Sequence, residues 1–322
     1  MSESSPVMTI GSLCSGYGGL DLAVAAHYGA TVAWHAEIDK DCDRVLKARF
    51  PGVPNLSDLT VLDWAEVEPV DILCGGFPCQ PFSHAGKRQG VDDERAIFQH
   101  IADCVAELQP RRVVLENVPG LISTGPGRGG GLDVVATLAG LDYVGRAGVI
   151  RASDTGAPHK RARWFCIAEP ADADGEGLER HGRPHKVGTR RRLAAPEGDS
   201  APCHWAATAD TTGNRREELW AGAGLATETG EALPIHRFGP YESAIQRWEH
   251  VIGRPAPAPT DHRGLRPEFV EWMMGLPEGW VCGDDLGLSR TAALKMLGNG
   301  VVPAQAALAL TLLDPLNHDQ EA

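Results

Sequence analysis

A cysteine, an acid and two arginines are the residues of this chain best suited to chemistry. Cys79 lies in Gly75-Gly76-Phe77-Pro78-Cys79-Gln80-Pro81-Phe82-Ser83, directly after the apolar run Ile72-Leu73-Cys74. Glycine permits tight turns, and each flanking proline fixes φ and removes an N–H, so the thiol is offered on a stiff loop. A free cysteine usually packs as a small hydrophobe, a role that a place between two prolines suits poorly. Glu116 closes a second apolar run, Arg112-Val113-Val114-Leu115, and continues into Asn117-Val118-Pro119-Gly120. Arg161 and Arg163 lead into a third, Trp164 to Ala168, and period-two spacing predicts that they share one face of that strand. A nucleophilic thiolate, a proton-donating acid and cations that orient the acid or bind phosphate describe a covalent, acid-assisted reaction.

These residues need a frame. Thr9 to Leu13 reads as a strand, followed by the loop Cys14-Ser15-Gly16-Tyr17-Gly18-Gly19 and then Leu20, Ala23, Val24 and His27 at helical spacing, with Gly29 as the stop. Strand, glycine loop and helix bring backbone close to a nucleotide-like ligand, although G-x-G-x-x-G is absent and a plain tight turn is the alternative. Ala30 to Ala36 is a second strand, with Glu37 at its end. An acid about 20 residues beyond the glycine loop is where such folds hold ribose hydroxyls. A helix from Lys40 to Phe50 precedes a loop whose Asp58 either meets an adenine amino group or is solvated. Ile97, Phe98, Ile101, Ala102, Val105 and Leu108 form one apolar helical face, which marks core packing. Glu37, Cys79 and Glu116 all fall at carboxyl ends of strands, where open α/β sheets place their chemistry. The expected class is α/β, a Rossmann-like, mixed and mostly parallel sheet flanked by helices.

The 322 residues suffice for one large domain and a smaller one. No apolar run approaches the ~20 residues of a membrane span, and the N-terminus lacks a signal-peptide pattern, so a cytoplasmic protein with no membrane partner is expected. The eight cysteines form no disulfide framework and no CxxC pair. A net charge of −13 weighs against a nucleic-acid partner, yet Arg180 to Arg192 carries six Lys or Arg and no acid. From about Glu169 to Arg254 apolar periodicity fades while Gly, Pro, Arg, His and Thr accumulate, as in an inserted, loop-rich module. Its histidines and Cys203 match no zinc spacing, so no metal is expected. Regular structure returns near Arg266, and an Ala/Leu helix ending near Leu313 is expected to pack back on the first domain.

The motifs resemble those of the DNA cytosine-5 methyltransferases, at both ends of the chain and in the same order. Leu13-Cys14-Ser15-Gly16-Tyr17-Gly18-Gly19-Leu20 resembles the first motif, with Cys14 where the family more often has Phe. Gly75 to Ser83 matches the nucleophile motif throughout, and Glu116-Asn117-Val118 the acid motif. His159-Lys160-Arg161-Ala162-Arg163 is similar to Gln-x-Arg-x-Arg, with His for Gln. Gly298-Asn299-Gly300-Val301-Val302 is similar to the last motif, which usually has Ser at position 300. The resemblance implies catalytic Cys79, Glu116, Arg161 and Arg163. It implies an S-adenosyl-L-methionine site comprising Gly16, Tyr17, Gly18, Gly19, Glu37, Asp58, Pro78 and Asn299. Residues 1–168 plus 288–322 would be the catalytic and cofactor-binding domain, and 169–287 the smaller target-recognition domain.

The implied reaction is methylation of C5 of a flipped-out cytosine in double-stranded DNA through a covalent Cys79–C6 adduct. The enzyme would be a monomer, bacterial or phage-encoded, with a separately encoded restriction endonuclease as a candidate partner. A tRNA cytosine-5 methyltransferase is the nearest alternative, disfavoured because the variable module lacks Cys-Phe-Thr. An inactive DNA-binding homologue is disfavoured by the intact Cys79, Glu116 and arginines. A nucleotide-dependent oxidoreductase is disfavoured by the missing G-x-G-x-x-G.

Overall fold

The computed structural model describes residues 7–78, 92–123, 130–171 and 238–314. Cys79 and the basic run 180–192 lie outside the described residues. The chain opens with β1 (Thr9–Leu13), α1 (Gly19–Tyr28), β2 (Thr31–Ala36) and α2 (Lys40–Arg49). It continues through β3 (Ile72–Gly76), α3 (Asp92–Leu108), β4 (Arg112–Asn117), α4 (Gly120–Ser123) and α5 (Gly131–Gly140). Next come β5 (Tyr143–Arg151), β6 (Ala162–Pro170), α6 (Glu242–Ile252), the short pair β7 (Thr260–Asp261) and β8 (Gly264–Leu265), α7 (Pro267–Met273), α8 (Arg290–Asn299) and α9 (Pro303–Leu313).

Among the described residues, six strands form one sheet in the order β2-β1-β3-β4-β6-β5. The β2–β1, β1–β3 and β3–β4 pairs are parallel, while β6 runs antiparallel to both of its neighbours. Alternation along the buried strands feeds two cores. Leu73, Val113 and Leu115 point to one face with Ile101 and Val105 of α3 and Val134 and Leu138 of α5. Ile72, Cys74 and Val114 point to the other with Leu20 and Val24 of α1 and Ala306, Ala309 and Leu310 of α9. The mixed, mostly parallel sheet flanked by helices is the expected class, and the last helix packs back on the first as expected. Arg290–Leu313 is long and apolar enough by composition to cross a membrane, but it is two helices, α8 and α9, meeting at Gly300–Val302.

β5 is a strand that apolar patterning does not announce. Its Tyr-Val-Gly-Arg-Ala-Gly-Val-Ile-Arg has glycines and arginines where alternation would need branched apolar residues. Pairing with β6 along its whole length supplies the order that propensity lacks.

A third apolar cluster joins Trp248, Phe269, Trp272 and Met274 to Tyr17, Cys42 and Val45. Arg49 of α2 fastens it with bonds to the carbonyls of Trp280 and Gly279 and an ion pair to Asp285. The turn carrying Trp280 is held by Glu271, 2% exposed, whose carboxylate accepts from the N–H groups of Gly279 (2.7 Å), Val281 (2.6 Å) and Cys282 (2.8 Å). Each unmade buried bond costs about 1–3 kcal/mol. Glu271→Ala is therefore expected to destabilise the chain by roughly 3 kcal/mol or more. A urea melt within about 0.5 kcal/mol of the parent, the range of neutral surface changes, would contradict this.

Candidate active site

Glu116 is the last residue but one of β4 and lies beside Gly76, its register partner at the end of β3. Because β6 runs the opposite way, its first residues arrive at this same edge, where Phe165 pairs with Glu116 and Trp164 with Asn117. Arg163 Nε thereby stands 2.9 Å from Glu116 Oε1 in a buried ion pair. Glu116 is 6% exposed. Burial pushes its carboxyl up to about 7, against the lowering influence of Arg163 and Arg161. The next residue anchors the neighbouring strand: Asn117 Nδ2 donates to the Phe77 carbonyl at 3.0 Å, and Asn117 Oδ1 accepts from Val118 N–H at 2.8 Å. The segment that leads into Cys79 is thus pinned to β4 at Phe77.

In front of these strand ends opens a cavity of about 450 Å³, within the range of small-molecule sites. The glycine loop forms one wall, with Gly16 and Gly18 at φ of 58° and 81°, left-handed values that favour glycine. Glu37 borders the floor, its oxygens accepting from Gly16 N–H and Asp39 N–H, both at 2.8 Å. Beside it Ile38 is 65% exposed, an apolar surface inside a polar rim. The Gly298–Val301 segment forms the opposite wall, and Lys295 pairs with Asp39 at 3.1 Å on the lip. A backbone cradle, a carboxylate and an exposed apolar side chain together suit a nucleoside-bearing ligand.

The cavity brings together Gly16, Gly19, Glu37, Pro78, Glu116, Arg163 and Asn299. Four expected residues stand apart from its lining. Tyr17 is fully buried and turned into the third core, donating from its hydroxyl to the Val301 carbonyl. Gly18 faces the Phe50 ring behind the loop. Asp58 spends its carboxylate on Thr60 at the surface. Arg161 does not share a strand face with Arg163: at φ of 33° it precedes β6, and its guanidinium goes to the carbonyls of Gly298 and Gly300. Cys79 lies outside the described residues. Asn117, Ile38 and Lys295 join the site without being among the expected site residues. Only Asn117 carried a signal, its place beside the acid in the Glu-Asn-Val motif.

The family model for C-5 cytosine-specific DNA methylases matches residues 8–310. The chain belongs to this family. Among curated relatives, the type II methyltransferase M.HhaI of Haemophilus parahaemolyticus is 39% identical over 157 residues, covering 48% of this chain and 47% of the relative. The type II methyltransferase M.SsoII of Shigella sonnei is 26% identical over 314 residues, 95% of this chain and 80% of that one. For the first of the curated relatives, this chain spans about half of their own length or less. The fold is also that of the S. pombe Dnmt2 methyltransferase, with a TM-score of 0.58 at 16% identity over 96% of this chain and 99% of that one.

Two described cysteines border the cavity, and neither is disposed to ionise. Burial, reinforced by Glu37, pushes the Cys14 thiol up to about 12, and the same two influences raise Cys42 further. The unusual state belongs instead to the acid. A carboxyl-carbon NMR titration is expected to place Glu116 near 7 and to move it higher in Arg163→Met, since the lost cation favoured the ionised form. A folded value above the ordinary ~4.3 means that the stability Glu116 contributes is complete below ~pH 4 and is lost as pH rises through about 7. An ordinary titration near 4.3 would contradict the burial argument.

Proposed function

We propose that this chain methylates C5 of cytosine in duplex DNA, through a covalent adduct between Cys79 and C6 of a flipped base. The observation that carries the reading is Glu116: a buried acid held near neutrality beside Arg163, on the edge from which the Phe-Pro-Cys segment departs. C5 of cytosine is too weak a nucleophile to take a methyl group unaided. Addition of the Cys79 thiolate at C6 drives electrons through the ring to N3, where protonated Glu116 donates its proton, and C5 becomes enamine-like. Arg163 holds the acid in register and faces the ring's O2. The pocket's glycine cradle, Glu37 and Ile38 are the residues that would hold S-adenosyl-L-methionine, which supplies an electrophilic methyl group when bound. With the methyl group on C5, loss of the C5 proton to a base expels Cys79 as the thiolate, N3 returns its proton to Glu116, and the aromatic ring is restored. The base must first leave the stack, at a cost of a few kcal/mol.

The family membership and the motif order support DNA as the substrate, and the basic run 180–192 supports a local phosphate-binding face on an acidic chain. We assign residues 171–287 to target recognition, two residues later than expected because Glu169 and Pro170 still pair in β6, with 238–287 seated on the catalytic unit through Arg49 and Trp280.

Incubation with labelled S-adenosylmethionine is expected to label duplex DNA and not tRNA, and Cys79→Ala to abolish labelling. Glu116→Gln is expected to slow transfer by roughly 10²-fold or more, the scale of lost acid catalysis. For the parent, kcat/KM should fall as pH rises through about 7, because the acid form is the reactive one. Labelling of tRNA alone would move the reading to the RNA-directed class, and undiminished transfer by Cys79→Ala would remove the covalent step.

A further inference from the structure

Position 300 shows why one motif residue differs from the family's usual choice. Gly300 has φ −73° and ψ 178°, a backbone any residue can adopt, so conformation does not demand glycine there. Space does. A Cβ on Gly300 would lie 1.9 Å from Tyr17 Cε1 and 2.4 Å from Tyr17 Cζ. The ring cannot swing aside, because Tyr17 is fully buried and its hydroxyl donates to the Val301 carbonyl at 2.5 Å. Trp280 Nε1 also donates to the Tyr17 carbonyl at 2.9 Å, fixing the backbone that carries the ring.

The contacts reach both walls of the cavity. Gly19, which lines it, would bring a Cβ to 2.4 Å from the Val301 oxygen and 2.5 Å from Tyr17 Cε2. Arg161 holds the far wall from outside through the carbonyls of Gly298 and Gly300, at 2.7 and 2.5 Å. Tyr17 is therefore the wedge that sets how closely the Gly298–Val301 wall approaches the glycine loop.

We propose that Tyr17 and Gly300 form a complementary pair that positions the two walls of the cofactor cavity, the ring taking the space that a serine side chain at 300 would occupy. Tyr17 is thus a positioning residue, and the proposal rests on the reading of this cavity as the S-adenosylmethionine site. Two consequences follow from the geometry. Gly300→Ser in the parent chain must push the wall outward. Leucine at 17 lacks the ring atoms nearest to position 300, so Tyr17→Leu should make room for the serine.

Calorimetric titration with S-adenosylmethionine, together with melting of the cofactor-free chain, tests the pair. Gly300→Ser is expected to weaken cofactor binding tenfold or more, Tyr17→Leu to weaken it as well, and the double variant to bind at least fivefold tighter than Gly300→Ser alone. KM for the cofactor should follow the same pattern with kcat changed much less. Single effects that simply multiply in the double variant overturn the pairing, since uncoupled sites are additive. So does a Gly300→Ser chain that melts lower yet binds the cofactor normally, because the pair would then be only structural. If Tyr17→Leu does not fold, Gly300→Ala, which adds the Cβ alone, must still weaken binding, and unchanged affinity overturns the proposal. A parent chain with no affinity for S-adenosylmethionine overturns the cofactor reading instead. The pairing then stands only if the melting temperatures show the same rescue.

Discussion

Placing a carboxylic acid 6% exposed at the end of a buried strand carries a desolvation cost, and its form depends on what faces it. In this chain what faces it is set by a reversed strand. A parallel β6 would deliver its carboxyl end to the edge where β4 ends; the antiparallel β6 delivers its first residues, so that Arg163 stands 2.9 Å from Glu116. The two influences on Glu116 then oppose each other, burial favouring the acid and the guanidinium favouring the carboxylate. The balance leaves the group able to exist in either form near neutral pH, which is what a proton donor that must be regenerated requires.

The same edge gathers residues from distant parts of the chain. Asn117 ties the exit of β3 to the end of β4, so the cysteine-bearing segment starts from a fixed point beside the acid. Glu37 ties the glycine loop to the start of α2 through two backbone N–H groups. The C-terminal segment closes the cavity from the other side. It is held there by Tyr17, by Arg161 and by Gln305, whose amide donates to the carbonyls of Ile150 and Arg161 at 2.7 Å. Residues near both ends of the sequence thus build one pocket, and closing it is a consequence of α9 packing on α1.

Much of this was legible in the residues. β1 runs over Thr9–Leu13 as its apolar pattern indicated, and Glu37 and Glu116 stand at strand ends as their positions implied. Local pattern failed where tertiary geometry decided. Period-two spacing put Arg161 and Arg163 on one face, but a left-handed residue at 161 breaks the period before the strand starts. Tyr17 sits among cavity-lining neighbours in the sequence, yet its side chain turns inward, because the third core offers the ring a fully buried place. Asp58 has local partners in Thr60 that a sequence pattern does not reveal. β5 escaped notice because its glycines and arginines hide a strand that exists through pairing with β6.

The proposed reaction requires a thiol to add to C6 of a cytosine while Glu116 donates the proton. Intact-mass measurement of the chain with S-adenosylmethionine and duplex DNA carrying 5-fluorocytosine tests this directly, because fluorine at C5 blocks the final elimination. The expected result is a stable one-to-one protein–DNA adduct attached at Cys79, lost in Cys79→Ala and formed far more slowly in Glu116→Gln. Methyl transfer to ordinary duplex DNA without any such adduct on the fluorinated duplex would contradict it.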